Sequence, residues 1–206
     1  MNAKVVFICA LSLFFLVQNT VYGQSDEEAK TLFSNNAPLQ IEDVGFYGAP
    51  MYGYSQIDGS NVSLIGFRGG VSIKDRFSVG AFYNISINQI RPNSETIPNI
   101  YMDYWAVGGL IEYTAFSKKL VHLTFPLHFG YGEVQMDSAF DSPDLDEANF
   151  FLVEPTALLE INLHKYARLN IGAGYRFIEN MTYRNLTQTD LSGLTGYIGL
   201  RFGLFR

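Results

Sequence analysis

Cysteine is nearly absent from this chain. Cys9 is the only one among 206 residues, and it lies inside an N-terminal apolar stretch expected to be removed. Disulfides, thiol nucleophiles and Cys-based metal sites are thereby excluded together. Long apolar runs are also missing. After residue 17 nothing approaches the roughly 18 consecutive apolar residues of a spanning helix. Positive charge is scarce, with a formal net charge of −6, which makes the chain a poor binder of nucleic acid. No phosphate loop, dinucleotide fingerprint or zinc pattern occurs. Abundant instead are aromatics and glycine: 17 Phe, 13 Tyr and 19 Gly. High aromatic and glycine content without a helical span points to a closed membrane barrel, which satisfies every backbone polar group without a helix.

The first 23 residues have the layout of a secretory signal. Lys4 supplies the basic start, Val5 to Val17 is an apolar core, and Val21-Tyr22-Gly23 offers a cleavage site after Gly23. Residues 24–42 are expected to form a periplasmic lead-in. Asp26, Glu27 and Glu28 make its start acidic. Residues 43–206 are expected to be one domain.

That domain reads as eight strands, near 43–56, 62–73, 77–90, 100–116, 120–136, 149–163, 168–181 and 194–205. In the third, Phe77, Val79, Ala81, Tyr83, Ile85 and Ile87 alternate with Ser78, Gly80, Phe82, Asn84, Ser86 and Asn88. The fifth, seventh and eighth alternate as cleanly. Period-two alternation of this length marks strands with one apolar face. Tight connections (Lys74-Asp75-Arg76, Ser117-Lys118-Lys119, His164 to Ala167) alternate with long ones (Arg91 to Asn99, Asp137 to Glu147, Thr182 to Ser192), the one exception being the short first outer connection, Asp58-Gly59-Ser60. Short turns on one rim and long loops on the other are the pattern of an outer-membrane barrel.

Glycine helps decide which face meets lipid, the alternative being a lipocalin-like or periplasmic β-domain with its apolar set inside. Gly130, Gly132, Gly172, Gly174, Gly199 and Gly203 share their face with charged or polar residues. A soluble exterior gains nothing from these glycines, whereas a narrow lumen needs small residues beside Arg, Glu and His. The fold expected is an all-β, eight-stranded antiparallel transmembrane up-and-down barrel, with its apolar stripes outward. Pro50, Pro126 and Pro155 fall inside proposed strands, each deleting a ladder donor, and bulges are expected there. The first strand alternates poorly by inspection, so its register is the least determined.

The strand-and-turn pattern, together with the aromatic-rich segment Gly196 to Phe205, resembles the small eight-stranded outer-membrane barrels, the OmpA- and OmpX-like transmembrane domains. Leu123 to Leu127, and Glu154-Pro155 through Tyr175-Arg176, are similar to the same family. The resemblance spans residues 45–206 and implies an outer-membrane location, a lipid surround and folding by the barrel-assembly machinery. Tyr197, Gly199, Phe202 and Phe205 lie in the segment that such machinery reads. The family pattern ends on an aromatic residue, whereas here Arg206 follows Phe205.

The inward face collects Arg68, Glu112, His122, His128, Glu154, Glu160, Arg176 and Arg201. A lone buried charge is costly, so these are expected to pair into a structural plug of a polar, side-chain-filled lumen. The alternative is a narrow path for ions or small solutes. His122, Thr124, His128 and Glu112 also invite comparison with lipid A deacylases of barrel form, which use a His, a Ser and an acidic residue. Here the hydroxyl is a Thr and it faces the lumen, so a lipid-modifying enzyme ranks below both other readings. No catalytic residue, cofactor or metal is nominated. The acidic stretch Asp137, Asp141, Asp144, Asp146 and Glu147 lacks the EF-hand spacing and reads as a solvated loop, with calcium binding as the alternative. The role expected is a non-catalytic structural or surface-interaction barrel, with an unassigned ligand, if any, meeting its long outer loops.

Overall fold

The computed structural model describes residues 43–138 and 146–205. The expected signal peptide, the lead-in and most of the acidic loop lie outside the described residues. Seven long strands come first: β1 (Val44–Ile57), β2 (Ser60–Ile73), β3 (Phe77–Ser86), β4 (Ile100–Ala115), β5 (Val121–Ser138), β6 (Asp146–His164) and β7 (Ala167–Glu179). A two-residue pair follows, β8 (Thr182–Tyr183) with β9 (Leu186–Thr187). Then come a single helical turn α1 (Gln188–Leu191) and the closing strand β10 (Gly193–Gly203). The eight long strands form one closed barrel in the order β1-β10-β7-β6-β5-β4-β3-β2, every neighbour antiparallel.

Local chemistry sets the tight turns. Asp58 and Gly59 both take positive φ between β1 and β2, as do Lys74 and Asp75 between β2 and β3. Two successive positive-φ residues give the turn whose twist matches a hairpin. The helical turn α1 is started by Thr187, whose backbone N–H and hydroxyl both donate to Asp190, at 2.8 and 2.7 Å.

The barrel is inside out relative to a soluble protein. Every large residue on the alternating apolar face of β3 except the small Ala81 is an exposed large hydrophobic, up to 62 % for Val79. The same holds for Tyr131, Ile171, Tyr175, Ile198 and Phe202 on other strands. Trp105 and Tyr131, with ring centroids 6.1 Å apart, mark one exterior aromatic level. Phe77 and Tyr113, with ring centroids 5.1 Å apart, mark a second one nearer the tight turns. Such paired girdles bracket the apolar band of a membrane barrel.

Three expectations are corrected. The third strand ends at Ser86 rather than near residue 90, leaving only an isolated bridge from Ile90 to Met102. The first strand alternates without a break from Gly45 to Ile57, because Gly45 and Gly53 face inward among larger residues and hide the pattern from inspection. Nor do the prolines make bulges. Pairing lapses on one side of each: at Pro50 toward β10, at Pro126 toward β6 and at Pro155 toward β7. The register on either side of each lapse is unchanged, because a missing N–H removes a rung without inserting a residue. Among the described residues, the one register shift lies between Asn162 and His164, beside a tight turn.

Inward glycines serve two distinct needs. A Cβ at Gly80 would meet the carbonyl of Gly69, and one at Gly130 would meet that of Val107, so the strands approach too closely there for any side chain. Gly174 instead leaves room for Glu154 and Thr156.

Candidate functional site: the lumen plug and the outer cap

All eight sequence-nominated polar residues point inward and are buried. The structure divides them into two groups. Near the tight turns, Glu160 is the centre of a charge network. Its carboxylate lies 3.0 Å from Arg201 Nη1, 2.9 Å from His122 Nε2, 3.5 Å from Arg168 Nη1 and 3.8 Å from Arg68 Nη2. Glu112 completes it, at 2.6 Å from Arg201 Nη1 and 3.2 Å from Arg68 Nη1. The Asn170 amide, oriented with its nitrogen 2.9 Å from Glu160 Oε1 and its oxygen 2.7 Å from Arg68 Nη2, joins both. The Arg201 guanidinium also stacks over Tyr47 at 3.6 Å. One charged cluster thus ties β2, β4, β5, β6, β7 and β10 across the lumen.

The second group sits closer to the long loops. Arg176 Nε donates to the carbonyl of Leu191 at 2.8 Å, and its Nη2 donates to Ser55 Oγ at 3.3 Å and to the Gln56 carbonyl at 3.5 Å. Glu154 accepts a 2.7 Å hydrogen bond from the Tyr197 hydroxyl. Glu154 makes no ion pair within 4 Å among the described residues. His128 packs edge-on against Phe82, with centroids 4.9 Å apart. Its Nδ1 and Thr156 Oγ1 have no hydrogen-bond partner among the described residues. Both residues line a small cavity of about 20 Å³, with Arg68, Asn84 and Tyr197. That space suits one water, which has polar partners there.

The polar lumen expected from sequence is only half the interior. Toward the long loops the lumen is apolar, filled by Ile57, Leu64, Met102, Leu110, Val134, Met136, Phe150 and Leu152. Ile90, Met181, Tyr183, Leu186 and Leu191, contributed by the long connections, pack into the same cluster. The connections after β3 and β7 therefore fold inward as a cap. Arg184 pairs with Glu95 at 3.4 Å, and Asn185 Nδ2 donates to the Ser94 carbonyl at 3.3 Å, tying the two loops together. This correction has a plain cause: inward apolar residues on the upper strands look like lipid-facing ones unless the parity of each strand is tracked to its end.

Sequence reasoning placed Arg168 on the polar face but left it out of the plug. The alternation with Leu169 and Ile171 was the available signal. Tyr197, nominated as part of the assembly segment, faces the lumen, as does the Gly199 backbone position, where a Cβ would strike Met51 and Pro50. Phe202 faces outward and is 49 % exposed, while the Phe205 ring lies 3.7 Å beneath the Arg168 guanidinium. His122 and Thr124 do not form a base–nucleophile pair. His122 Nδ1 is 3.3 Å from the Lys119 carbonyl, and Thr124 Oγ1 is 3.4 Å from Thr114 Oγ1.

On the long-loop rim, a cleft of about 640 Å³ opens beside the β1–β10 seam, lined by Tyr54, Gln56, Asp58, Asp190, Ser192 and Leu194 among others. The β1–β10 ladder stops at Ser55 and Thr195. Beyond it the seam is stitched by Ser55 Oγ donating to the Leu194 carbonyl at 2.8 Å and by Asp58 N–H donating to the Asp190 carbonyl at 3.0 Å.

No protein-family model matches the chain, and no curated protein matches it. Among solved structures, 24 chains match. Neisserial surface protein A (NspA) from Neisseria superposes with a TM-score of 0.58 at 12 % identity, covering 78 % of this chain and 96 % of its own. Ail, the attachment invasion locus protein of Yersinia pestis, is 15 % identical with a TM-score of 0.43, covering 78 % and 97 %. OprG from Pseudomonas aeruginosa is 9 % identical with a TM-score of 0.44, covering 80 % and 97 %. At these identities the likeness is one of fold. With its apolar exterior and closed ladder, the chain has the fold of an eight-stranded outer-membrane β-barrel.

Proposed function

We propose that this protein is a closed, non-catalytic barrel that uses its rigid wall to present the long-loop end as a structural or recognition surface. The observation that carries the reading is the double blockage of the lumen. A charge network joins six strands at one level, and an apolar cluster with cap residues fills the next. A solute crossing the barrel would have to displace both. The test is conductance of the full barrel in planar bilayers. No stable single-channel step is expected, and a persistent, large unit conductance would overturn the closed reading in favour of a narrow channel.

The short-turn end is read as periplasmic and the long-loop end as outer, in keeping with the usual loop asymmetry. The rim cleft beside α1 is a concavity at the outer end, and a surface ligand would meet the protein there. The non-catalytic reading draws on the burial of His122 and its lack of a bond to Thr124. Lipid A from cells with and without the protein is expected to give the same mass spectrum. Residues 1–23 act as a cleaved signal in this reading, so the mature N-terminus is expected at Gln24. Biogenesis runs through the barrel-assembly machinery, with β10 and its outward Phe202 as the segment read. Outer-membrane fractions are expected to show a gel mobility shift between unboiled and boiled samples.

A further inference from the structure

The short-turn rim is not uniform. The connection after β4 (Phe116 to Leu120) and the one after β6 (Lys165-Tyr166) flank the same β5–β6 seam, where Val121 pairs with Ile161. The first is tied to the end of β6: Asn162 Nδ2 donates to the Lys119 carbonyl at 3.0 Å, and Asn162 N–H donates to the Leu120 carbonyl at 3.0 Å. On this joined edge sit Phe116, Leu120, Leu163 and Tyr166, exposed by 64, 68, 58 and 47 %. Phe116, Leu120 and Leu163 are among the most exposed large apolar residues described. Interleaved with these four are Lys118, Lys119 and Lys165, all exposed, and neither connection contains an acidic residue. Lys119 Nζ lies 4.9 Å from the Phe116 ring centroid and Lys165 Nζ 4.8 Å from that of Tyr166. Each ammonium is thus held above an aromatic that can sit at the headgroup level.

The third short connection differs. Lys74 and Arg76 flank Asp75, and the Lys74 N–H donates to the backbone carbonyl of acidic Asp43. It offers mixed charge, and its flanking apolar residues, Ile73 and Phe77, are less exposed, at 37 and 39 %. The basic, apolar-tipped edge is therefore confined to the β4–β7 side.

We propose that this edge is a binding site for anionic phospholipid of the periplasmic leaflet, recognised through its phosphodiester headgroup; the proposal rests on reading the short-turn end as periplasmic. Apolar tips enter the acyl boundary while lysine ammoniums reach back to the phosphates, the geometry by which lysine snorkels. A membrane-adjacent lysine favours an anionic surface by several-fold. Three lysines on one edge give about a tenfold local enrichment once screening by salt is allowed for.

The test reconstitutes the full barrel into phosphatidylcholine nanodiscs containing a minor fraction of phosphatidylglycerol and counts retained lipids by native mass spectrometry. The wild-type protein is expected to retain phosphatidylglycerol over phosphatidylcholine in a ratio about tenfold above that of the nanodisc. That excess should vanish in the K118Q/K119Q/K165Q variant and persist in K74Q/R76Q. Raising salt on the wild-type protein should remove it too, which tests the charge dependence without any variant. Retention at the mole fraction, enrichment that survives the triple substitution, or equal loss in K74Q/R76Q would overturn the proposal. The heat-dependent gel shift of the same samples reads the barrel itself. A shifted, folded barrel without lipid selectivity sinks the site alone, and absence of the shift sinks the membrane-barrel reading with it.

Discussion

Replacing Glu160 by Gln is the sharpest perturbation of the lumen. Glu160 is fully buried, and four cationic or ionisable partners converge on its two oxygens between 2.9 and 3.8 Å. Gln keeps the volume and one acceptor but removes the charge, leaving Arg68, Arg168 and Arg201 with Glu112 as the one carboxylate of that cluster. Breaking a buried ion pair by removing one partner costs about 3–5 kcal/mol, because the opposite charges stay buried without compensation. With a urea slope of about 2 kcal/mol/M, that cost corresponds to a midpoint lowered by about 2 M. Unfolding from lipid vesicles can be followed by the fluorescence of Trp105, the sole tryptophan, which sits on the exterior aromatic level and hydrogen-bonds Glu133 at 3.4 Å. Adding R168M to E160Q removes one of the stranded charges and should restore more than about 1 kcal/mol, a coupling that distant, independent sites do not show. An E160Q midpoint within about 0.3 M of wild type would refute the view that the charge network holds the barrel together.

Further outcomes follow from the same geometry. R201K keeps the charge but loses the planar contact with Tyr47 and the simultaneous reach to Glu112 and Glu160, so a loss of about 1–3 kcal/mol is expected in the same urea titration. I171R places a cation on the mid-wall exterior; it should destabilise the barrel in lipid by about 2–4 kcal/mol, and near-zero cost would mean that this face meets water. L191D buries a charge in the apolar cluster beneath the cap. Protease cleavage within 180–192 is expected to rise while the boiled-versus-unboiled gel shift is retained, since the wall does not depend on the cap.

Alternation along each strand was enough to orient most side chains. Period two assigns each residue to one face, so Phe77 to Ile87 outward and Arg176 and Arg201 inward were legible from residue order. The hairpin turns were legible too, because Asp58-Gly59 has the chemistry that positive φ demands. Less legible was the outer half of the lumen, where Met102, Val134 and Phe150 are as apolar as any lipid-facing residue. The cap was illegible as a cap: Ile90, Met181 and Leu186 lie in stretches rich in polar turn formers, and nothing local says that these residues fold inward.

The sequence by itself determined the class, the two faces, the short and long rims and all of the buried charge network but Arg168, since these follow from local periodicity and turn chemistry. Only the tertiary structure decided that Glu160 gathers Arg68, Arg168, Arg201 and His122, that Glu154 stands apart with Tyr197, and that prolines drop rungs without shifting register. Partners across a lumen are chosen by closure and by the relative register of eight strands. That choice couples residues as far apart as Arg68 and Glu160, and no local pattern carries it.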